Sequence, residues 1–321
     1  RKYYPAGIQQ GSNALVDEYL YDVNIASVYL MSNGKPFFAF VSGSLIKSAF
    51  QAFVVTLEGA ISFGNGSRST LVDQINDTVP THDPVQTQYG IGMSYSKDGS
   101  LYADSNITGR NGYDYNLPQI GDFGYVRIGT LNLDQEHGGA NTSWRMGLAT
   151  QIYGTGFKVG DQPLFGWSTS FSDNGQYLAV SAPNLRYGKV FIYTINKIGT
   201  QITVSPNVIV IETVHIGSGF GAKVILSSDG ALLIVSMPLT VNNKGAVHVY
   251  AVDYASSSAS LIQLLGNDEG GAFGRSMSRV GQKVLISAPY CTVNGELNAG
   301  RVYQYVINRD LTLVRTIQMP D

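Results

Sequence analysis

One phrase recurs three times in the C-terminal half of this 321-residue chain, and it limits what the chain can fold into. Residues 165–196 read FGWSTSFSDNGQYLAVSAPNLRYGKVFIYTIN, residues 220–253 read FGAKVILSSDGALLIVSMPLTVNNKGAVHVYAVD, and residues 273–308 read FGRSMSRVGQKVLISAPYCTVNGELNAGRVYQYVIN. Each copy opens on Phe-Gly, crosses a Gly-bearing turn and runs through an apolar stretch to Ser-x-Pro. It then loops to a Gly and closes on a run ending in Asn or Asp. The starts lie 55 and 53 residues apart, a period that means a stacked or radial repeat.

Within a copy the elements read as strands. In Ala246–Asp253 the apolar Val247, Val249 and Ala251 alternate with His248 and Tyr250, the period of a strand with two unlike faces. Lys189–Asn196 alternates poorly, as a strand buried on both faces does. Asp173-Asn174-Gly175 and Asp229-Gly230 carry the residues that tolerate the positive φ of tight hairpins. A fourth apolar run follows each copy, at Val208–Val214, Ser260–Leu265 and Leu311–Ile317. Four strands joined by turns, with no capped helical periodicity, predict a propeller blade.

Weaker copies extend the pattern toward the N-terminus. Tyr89-Gly90 stands where Phe-Gly is expected, Gly99 follows at the turn, and the run from Gly124 to Asn132 parallels Gly188–Asn196. A fainter unit begins near Asn24, with Asn33-Gly34 as its turn and Ala52–Glu58 as its third strand. The expected fold is therefore all-β: a β-propeller of four-stranded antiparallel blades, five or six in number with seven possible. Its units start near residues 24, 89, 165, 220 and 273 and span 24–321. Residues 1–23 form an N-terminal extension or a closing strand.

These phrases resemble the FG-GAP repeats, the blades of the integrin α-subunit head. The likeness is greatest to shorter relatives with an S-x-DG-x-x-L-x-V-S-A-P…G-x-V-x-V-Y core, well over 165–308 and in outline over 24–164. The resemblance implies a propeller that is extracellular or displayed on a particle surface and used for adhesion and recognition. Many members carry a D-x-D-x-D-G calcium loop between the first two strands. Here the matching turns are Ser172–Gly175, Ser228–Gly230, Lys97–Gly99 and Val280-Gly281, none with more than one carboxylate. Calcium needs six to eight oxygens, so no metal site is expected.

Composition narrows the partners. Charged residues are 14% of the chain and the net charge is −2, against the clustered Lys and Arg that a nucleic-acid backbone demands. The stretch Phe37–Ser62 is interrupted by Lys47 and Glu58, so no membrane span is expected. Cys291 is the single cysteine and excludes an intrachain disulfide. Position 1 is Arg with no signal-like run before the fold, as in a processed product or a piece of a longer chain. Sequons at Asn65, Asn76, Asn106 and Asn141 are N-glycosylation acceptors if the chain enters a secretory pathway.

No catalytic, cofactor or metal residues emerge. His82, His137, His215 and His248 lack metal-ligand spacing, and His248, between two valines, reads as structural. Gly217–Lys223 opens a strand rather than a helix, which argues against a phosphate cradle. Asp73, Asp77, Asp83 and Asp268-Glu269 read as polar loops. The loops between second and third strands vary in length and chemistry, and variable loops on a rigid scaffold are where binding resides. They nominate Arg110, Tyr113, Asp114, Tyr115, Arg186, Tyr187, Lys244 and Tyr290 as contacts to a protein partner.

The expected function is a non-enzymatic interaction protein, adhesion-like or part of a virion or appendage, located outside the cell or on a cell or virion surface. The first alternative is a glycan-binding propeller, although only Trp144 and Trp167 supply indoles. The second is a hydrolase or lyase with carboxylates at the central channel. The single-carboxylate turns predict that EDTA leaves the thermal midpoint unchanged. A drop of many degrees would show that ligands from elsewhere complete a site.

Overall fold

The computed structural model describes residues 21–30, 36–43, 50–56, 94–106, 124–134, 143–146, 150–157, 163–183, 188–199, 201–213, 215, 217–240, 244–266 and 270–318. They form five antiparallel sheets in chain order. The first holds β1 (Tyr21–Leu30), β2 (Pro36–Gly43) and β3 (Phe50–Thr56). The second holds β4 (Ser94–Tyr95), β5 (Leu101–Asn106), β6 (Tyr125–Asp134), β7 (Ser143–Met146) and β8 (Thr150–Ile152). The third holds β9 (Thr169–Phe171), β10 (Tyr177–Ala182), β11 (Lys189–Ile198), β12 (Gln201–Val204) and β13 (Ile209–Glu212).

The fourth sheet is β14 (Val224–Leu226), β15 (Leu232–Met237), β16 (Ala246–Asp253) and β17 (Ser258–Leu265). The fifth is β18 (Met277–Val280), β19 (Lys283–Ala288), β20 (Arg301–Ile307) and β21 (Leu311–Ile317). Each sheet is a meander whose first strand is innermost, and the first strands touch in the series β1, β4, β9, β14, β18. This is a β-propeller, and the sheets are numbered blades 1 to 5 below.

Two details differ from the sequence reading. The third strand of blade 1 runs over Phe50–Thr56 rather than Ala52–Glu58. In blade 3 the outer strand has two pieces, β12 and β13, both paired with the ten-residue β11. Pro206 lies in the gap between them and cannot donate to a ladder, so the apolar pattern stops and only the second piece is legible. Blades 4 and 5 have a milder form of this break. Pairing steps from Val249↔Gln263 to Tyr250↔Leu261, and from Gln304↔Arg315 to Tyr305↔Leu313, bulging Ile262 and Val314 out of the ladder.

The Phe-Gly dipeptides occupy equivalent places, four residues ahead of β9, β14 and β18. Gly166, Gly221 and Gly274 have φ of 95°, 87° and 88°. Their N–H groups donate to the carbonyls of Ser181, Ser236 and Ser287 at 2.9, 3.0 and 2.9 Å. Those serines belong to Ser-x-Pro, and their hydroxyls accept the N–H of Ser168, Lys223 and Ser276. One serine thus clamps each turn twice.

The same glycines are the joints between blades. A Cβ on Gly166 would lie 2.6 Å from the Cβ of Ser105 in blade 2. On Gly221 it would lie 3.1 Å from that of Ser181 in blade 3, and on Gly274 3.1 Å from that of Ser236 in blade 4. Phe165, Phe220 and Phe273 are fully buried and fill the wedges beside these contacts. Each meets an aromatic ring of its own third strand edge-on: Phe191 at 5.4 Å, His248 at 6.0 Å and Tyr303 at 5.3 Å. His248 is therefore a structural histidine in an aromatic position, 8% exposed, with Nδ1 3.1 Å from the Tyr250 hydroxyl. Three apolar clusters fill the three interfaces from blade 2 to blade 5.

The residue before each Phe also adopts positive φ: Leu164 at 55°, Gly219 at 68° and Ala272 at 56°. Only blade 4 uses glycine there. In urea unfolding, Phe220→Ala is expected to lose about 3–5 kcal/mol. Gly274→Ala is expected to be strongly destabilising, because it combines strained φ with a collision against Val247 and Ser236. Ala272→Gly should stay within about 1 kcal/mol of the parent, since it relieves a left-handed residue. A tolerated Gly274→Ala would contradict this joint.

Candidate interaction face

The two ends of the blades differ in what they leave free. At one end lie the first-to-second turns, which share a single hydrogen-bond design. The hydroxyls of Ser96, Ser172 and Ser227 donate to Asp98, Asn174 and Asp229 at 2.6, 2.7 and 2.6 Å. The same side-chain oxygens accept the N–H of Ser100, Gln176 and Ala231. Adjacent turns are also joined, with Lys97 N–H donating to Asp173 O at 3.1 Å and Asp173 N–H to Ser228 O at 2.8 Å.

Blade 5 lacks the Ser-x-Asp-Gly turn and contributes Arg279 instead. Its guanidinium donates to the Asp173 carboxylate at 2.6 Å and to Ser228 Oγ at 2.8 Å. It thereby ties blade 5 to blade 4 and, beyond it, to blade 3, which places these turns around a narrow axis. Lys97 adds an ion pair to Asp173 at 3.3 Å. The sequence reading took Asp173 as part of a tight hairpin turn, and the structure also makes it a hub that meets Lys97, Ser228 and Arg279 of three other blades. Only the fold brings Arg279 there, from 106 positions away.

Charge and burial set the pH response of these groups. For Asp98 and Asp173, desolvation pushes the carboxyl up, but hydrogen bonds from Ser96 and Ser100, and from Arg279 with its charge, outweigh it and hold both below the ordinary 3.8. Asp229 is lowered chiefly by the Ser227 hydroxyl. His248 is lowered below 6.5 by desolvation and then by the nearby His215.

At the opposite end lie the loops between second and third strands, together with the connections between blades. In blades 4 and 5 the N–H of the residue after the Pro anchors to the connection of its own blade. Leu239 donates to Ser218 O at 3.0 Å, and Tyr290 to Gly271 O at 3.1 Å. Lys244 and Tyr290, both nominated from sequence, flank the Gly270-Gly271 pair. A Cβ on Gly270 would meet Lys244 at 3.6 Å, and one on Gly271 would meet the Tyr290 backbone. The side chains point outward: Lys244 is exposed, Tyr290 is 56% exposed and Leu239 49%. Leu297, further along the blade 5 loop, is 79% exposed.

Arg110, Tyr113, Asp114, Tyr115, Arg186 and Tyr187 lie outside the described residues, as do the sequons at Asn65, Asn76 and Asn141. Asn106 ends β5. Sequence reasoning missed Leu239 and Leu297 because it weighted Tyr and Arg. The signal for Leu239 was present: it follows Ser-x-Pro in the same register as Tyr290. Among the described residues no group of His, Cys, Asp and Glu could hold a metal ion, and no helix is long and apolar enough to cross a membrane.

No family model matches the sequence, and no curated protein matches it. Solved structures resemble the fold. Hydrazine synthase of Kuenenia stuttgartiensis is 13% identical with a TM-score of 0.46, and the match covers 98% of this chain and 70% of that one. Apo prolyl oligopeptidase B from Galerina marginata is 11% identical with a TM-score of 0.45, over 91% of this chain and 37% of that one. This chain therefore spans little more than a third of the peptidase. The β-propeller domain of the trilobed protease of Pyrococcus furiosus, which has an open velcro topology, is 11% identical with a TM-score of 0.37, over 74% and 58%.

Two pH windows follow. As pH falls below 6.5, the unfolded chain protonates a histidine that the fold keeps neutral, so stability declines through that range. His248→Phe, which restores the aromatic ring of the Phe191 position, is expected to flatten that slope. The depressed carboxyls of Asp98, Asp173 and Asp229 contribute stability that is complete above about pH 4 and lost as pH falls further. Thermal midpoints of both proteins from pH 7 to pH 3 check each window. An unchanged slope in His248→Phe would rule out the histidine as its source.

Proposed function

We propose that this chain is a non-enzymatic, surface-exposed interaction protein, an FG-GAP-like propeller of an adhesion, appendage or virion component that engages a protein partner through its loop face. The observation that carries this reading is the repeated anchoring after Ser-x-Pro. Leu239 and Tyr290 hang from the same backbone hydrogen bond in consecutive blades, yet about half of each remains in water. A core gains nothing from apolar side chains held rigidly in solvent, whereas pre-ordered apolar and aromatic groups are what contact hot spots use.

The contrast with the other end supports the same side. Asp98, Asp173 and Asp229 are engaged in turn and inter-turn bonds and serve as structural groups. Extracellular or particle-surface display fits the neutral, aromatic composition of the chain, with 20 Tyr and a net charge of −2.

Binding to the assembly from which the protein is isolated, measured on variants, tests the proposal. Tyr290→Ala and Leu239→Ala are each expected to weaken association by about tenfold or more, roughly 1.4 kcal/mol, with unchanged thermal midpoints. Lys97→Ala, at the turn end, should leave association alone. Loss from Lys97→Ala alone would invert the binding side. A glycan-array signal abolished by Tyr290→Ala would replace the protein partner with a sugar.

A further inference from the structure

Two Asn-Gly pairs lie within the described residues, Asn174-Gly175 in blade 3 and Asn294-Gly295 in blade 5, and their surroundings are opposite in kind. Asparagine is a chemically labile residue, and a glycine after it removes the main steric barrier to its reaction. With no Cβ on that residue, the backbone nitrogen can approach the side-chain amide carbon closely.

Asn174 is held at both polar atoms of its side chain. Its Oδ1 accepts from the Ser172 hydroxyl at 2.7 Å and from the Gln176 N–H at 3.0 Å, and its Nδ2 donates to Gln176 Oε1 at 2.9 Å. The Gly175 N–H is engaged too, donating to Ser172 O at 3.0 Å. Asp173, just ahead of the pair, is bonded through its carbonyl to Lys97 in blade 2 and through its N–H to Ser228 in blade 4. Turning the Asn174-Gly175 peptide breaks this whole set.

Asn294-Gly295 is the tip of a two-residue hairpin. Val293 and Glu296 exchange N–H···O bonds at 3.0 and 2.8 Å. The φ angles are 53° at Asn294 and 88° at Gly295, both positive as a type I′ turn requires. Residues 294–298 are all exposed, and a Cβ on Gly295 would meet nothing within 4 Å. Among the described residues the Gly295 N–H makes no hydrogen bond. Opening this tip gives up two backbone bonds and little buried surface, so it belongs to the segments that rearrange most cheaply.

We propose that Asn294 is a site of spontaneous covalent modification, converting to aspartate and isoaspartate in the folded protein. The Gly295 nitrogen attacks Asn294 Cγ. As the N–Cγ bond forms, the Cγ–Nδ2 bond breaks, and ammonia leaves with the proton that Gly295 gives up. Water then opens the cyclic imide, at Cγ to give aspartate or at the main-chain carbonyl to give isoaspartate. Either product places a carboxylate in the loop that carries Tyr290 and Leu297. The chemistry is independent of the loop-face reading, and only its effect on a partner rests on that reading.

The test is peptide mapping by mass spectrometry after incubation of the full chain in mildly alkaline buffer, once folded and once in urea. Trypsin releases residues 284–301, which hold Asn294 and Asn298, and residues 159–186, which hold Asn174. Asn298 is an internal control, exposed and with φ of 58°, but followed by Ala299. In the folded protein Asn294 is expected to convert at least about tenfold faster than Asn174, a ratio that needs only about 1.4 kcal/mol of difference between the two turns. Asn298 should lag behind Asn294 in both conditions. In urea the two Asn-Gly pairs should convert alike, because the turns that distinguish them are gone. A ratio of Asn294 to Asn174 no greater in the folded chain than in urea would overturn the proposal. Conversion of Asn298 as fast as that of Asn294 would overturn it equally.

Discussion

The structure depends on one contact, a glycine set against a serine of the preceding blade. At Gly166, Gly221 and Gly274 the backbone turns with φ near 90° and comes so close to its neighbour that a side chain would collide at Gly166 and Gly274 and crowd Ser181 at Gly221. The adjacent Phe is buried by that approach. Complete burial of such a ring contributes about 1.5–3 kcal/mol, with a further contribution from its edge-on aromatic partner. The serine holds the turn by its carbonyl and its hydroxyl at once. Blade spacing is thereby set by backbone contact, which is stiff, rather than by side chains, which adapt.

That stiffness explains the contrast between the two ends of the molecule. The turn end is knitted to itself, with N–H groups passing from turn to turn and Arg279 tying blade 5 to Asp173 in blade 3. Its polar groups are satisfied internally. The loop end is equally well fixed through the Ser-x-Pro anchors, but its side chains are left outward. Rigid backbone with free side chains is the arrangement that lets a scaffold vary its contacts without altering its fold.

Much of the fold was legible because its signals are local. Phe-Gly spacing, the Ser-x-Asp-Gly turns and the fourth apolar runs are properties of short segments, and the sheets follow them. The split outer strand of blade 3 was not legible, because Pro206 interrupts the pattern while β12 still pairs. The structural role of His248 could be inferred from its valine neighbours, although its place in a series with Phe191 and Tyr303 needed the register. Of the nominated contacts within the described residues, Lys244 and Tyr290 are exposed side by side with the Gly270-Gly271 pair. Leu239 went unrecognised because residue type was weighed above position in the repeat.

The sequence by itself determined the strands, the turns and the repeat, since each rests on backbone chemistry within a few residues. Only the tertiary structure decided what each repeat meets. Ile234 and Leu285 hold the same place in nearly the same phrase, yet one is sealed and the other stands 38% in water. Asp173 and Arg279 read as unrelated charges until the ring brings them to 2.6 Å. Burial and pairing belong to the neighbour as much as to the residue. In a radial repeat the neighbour is the next blade, some fifty residues away in the chain.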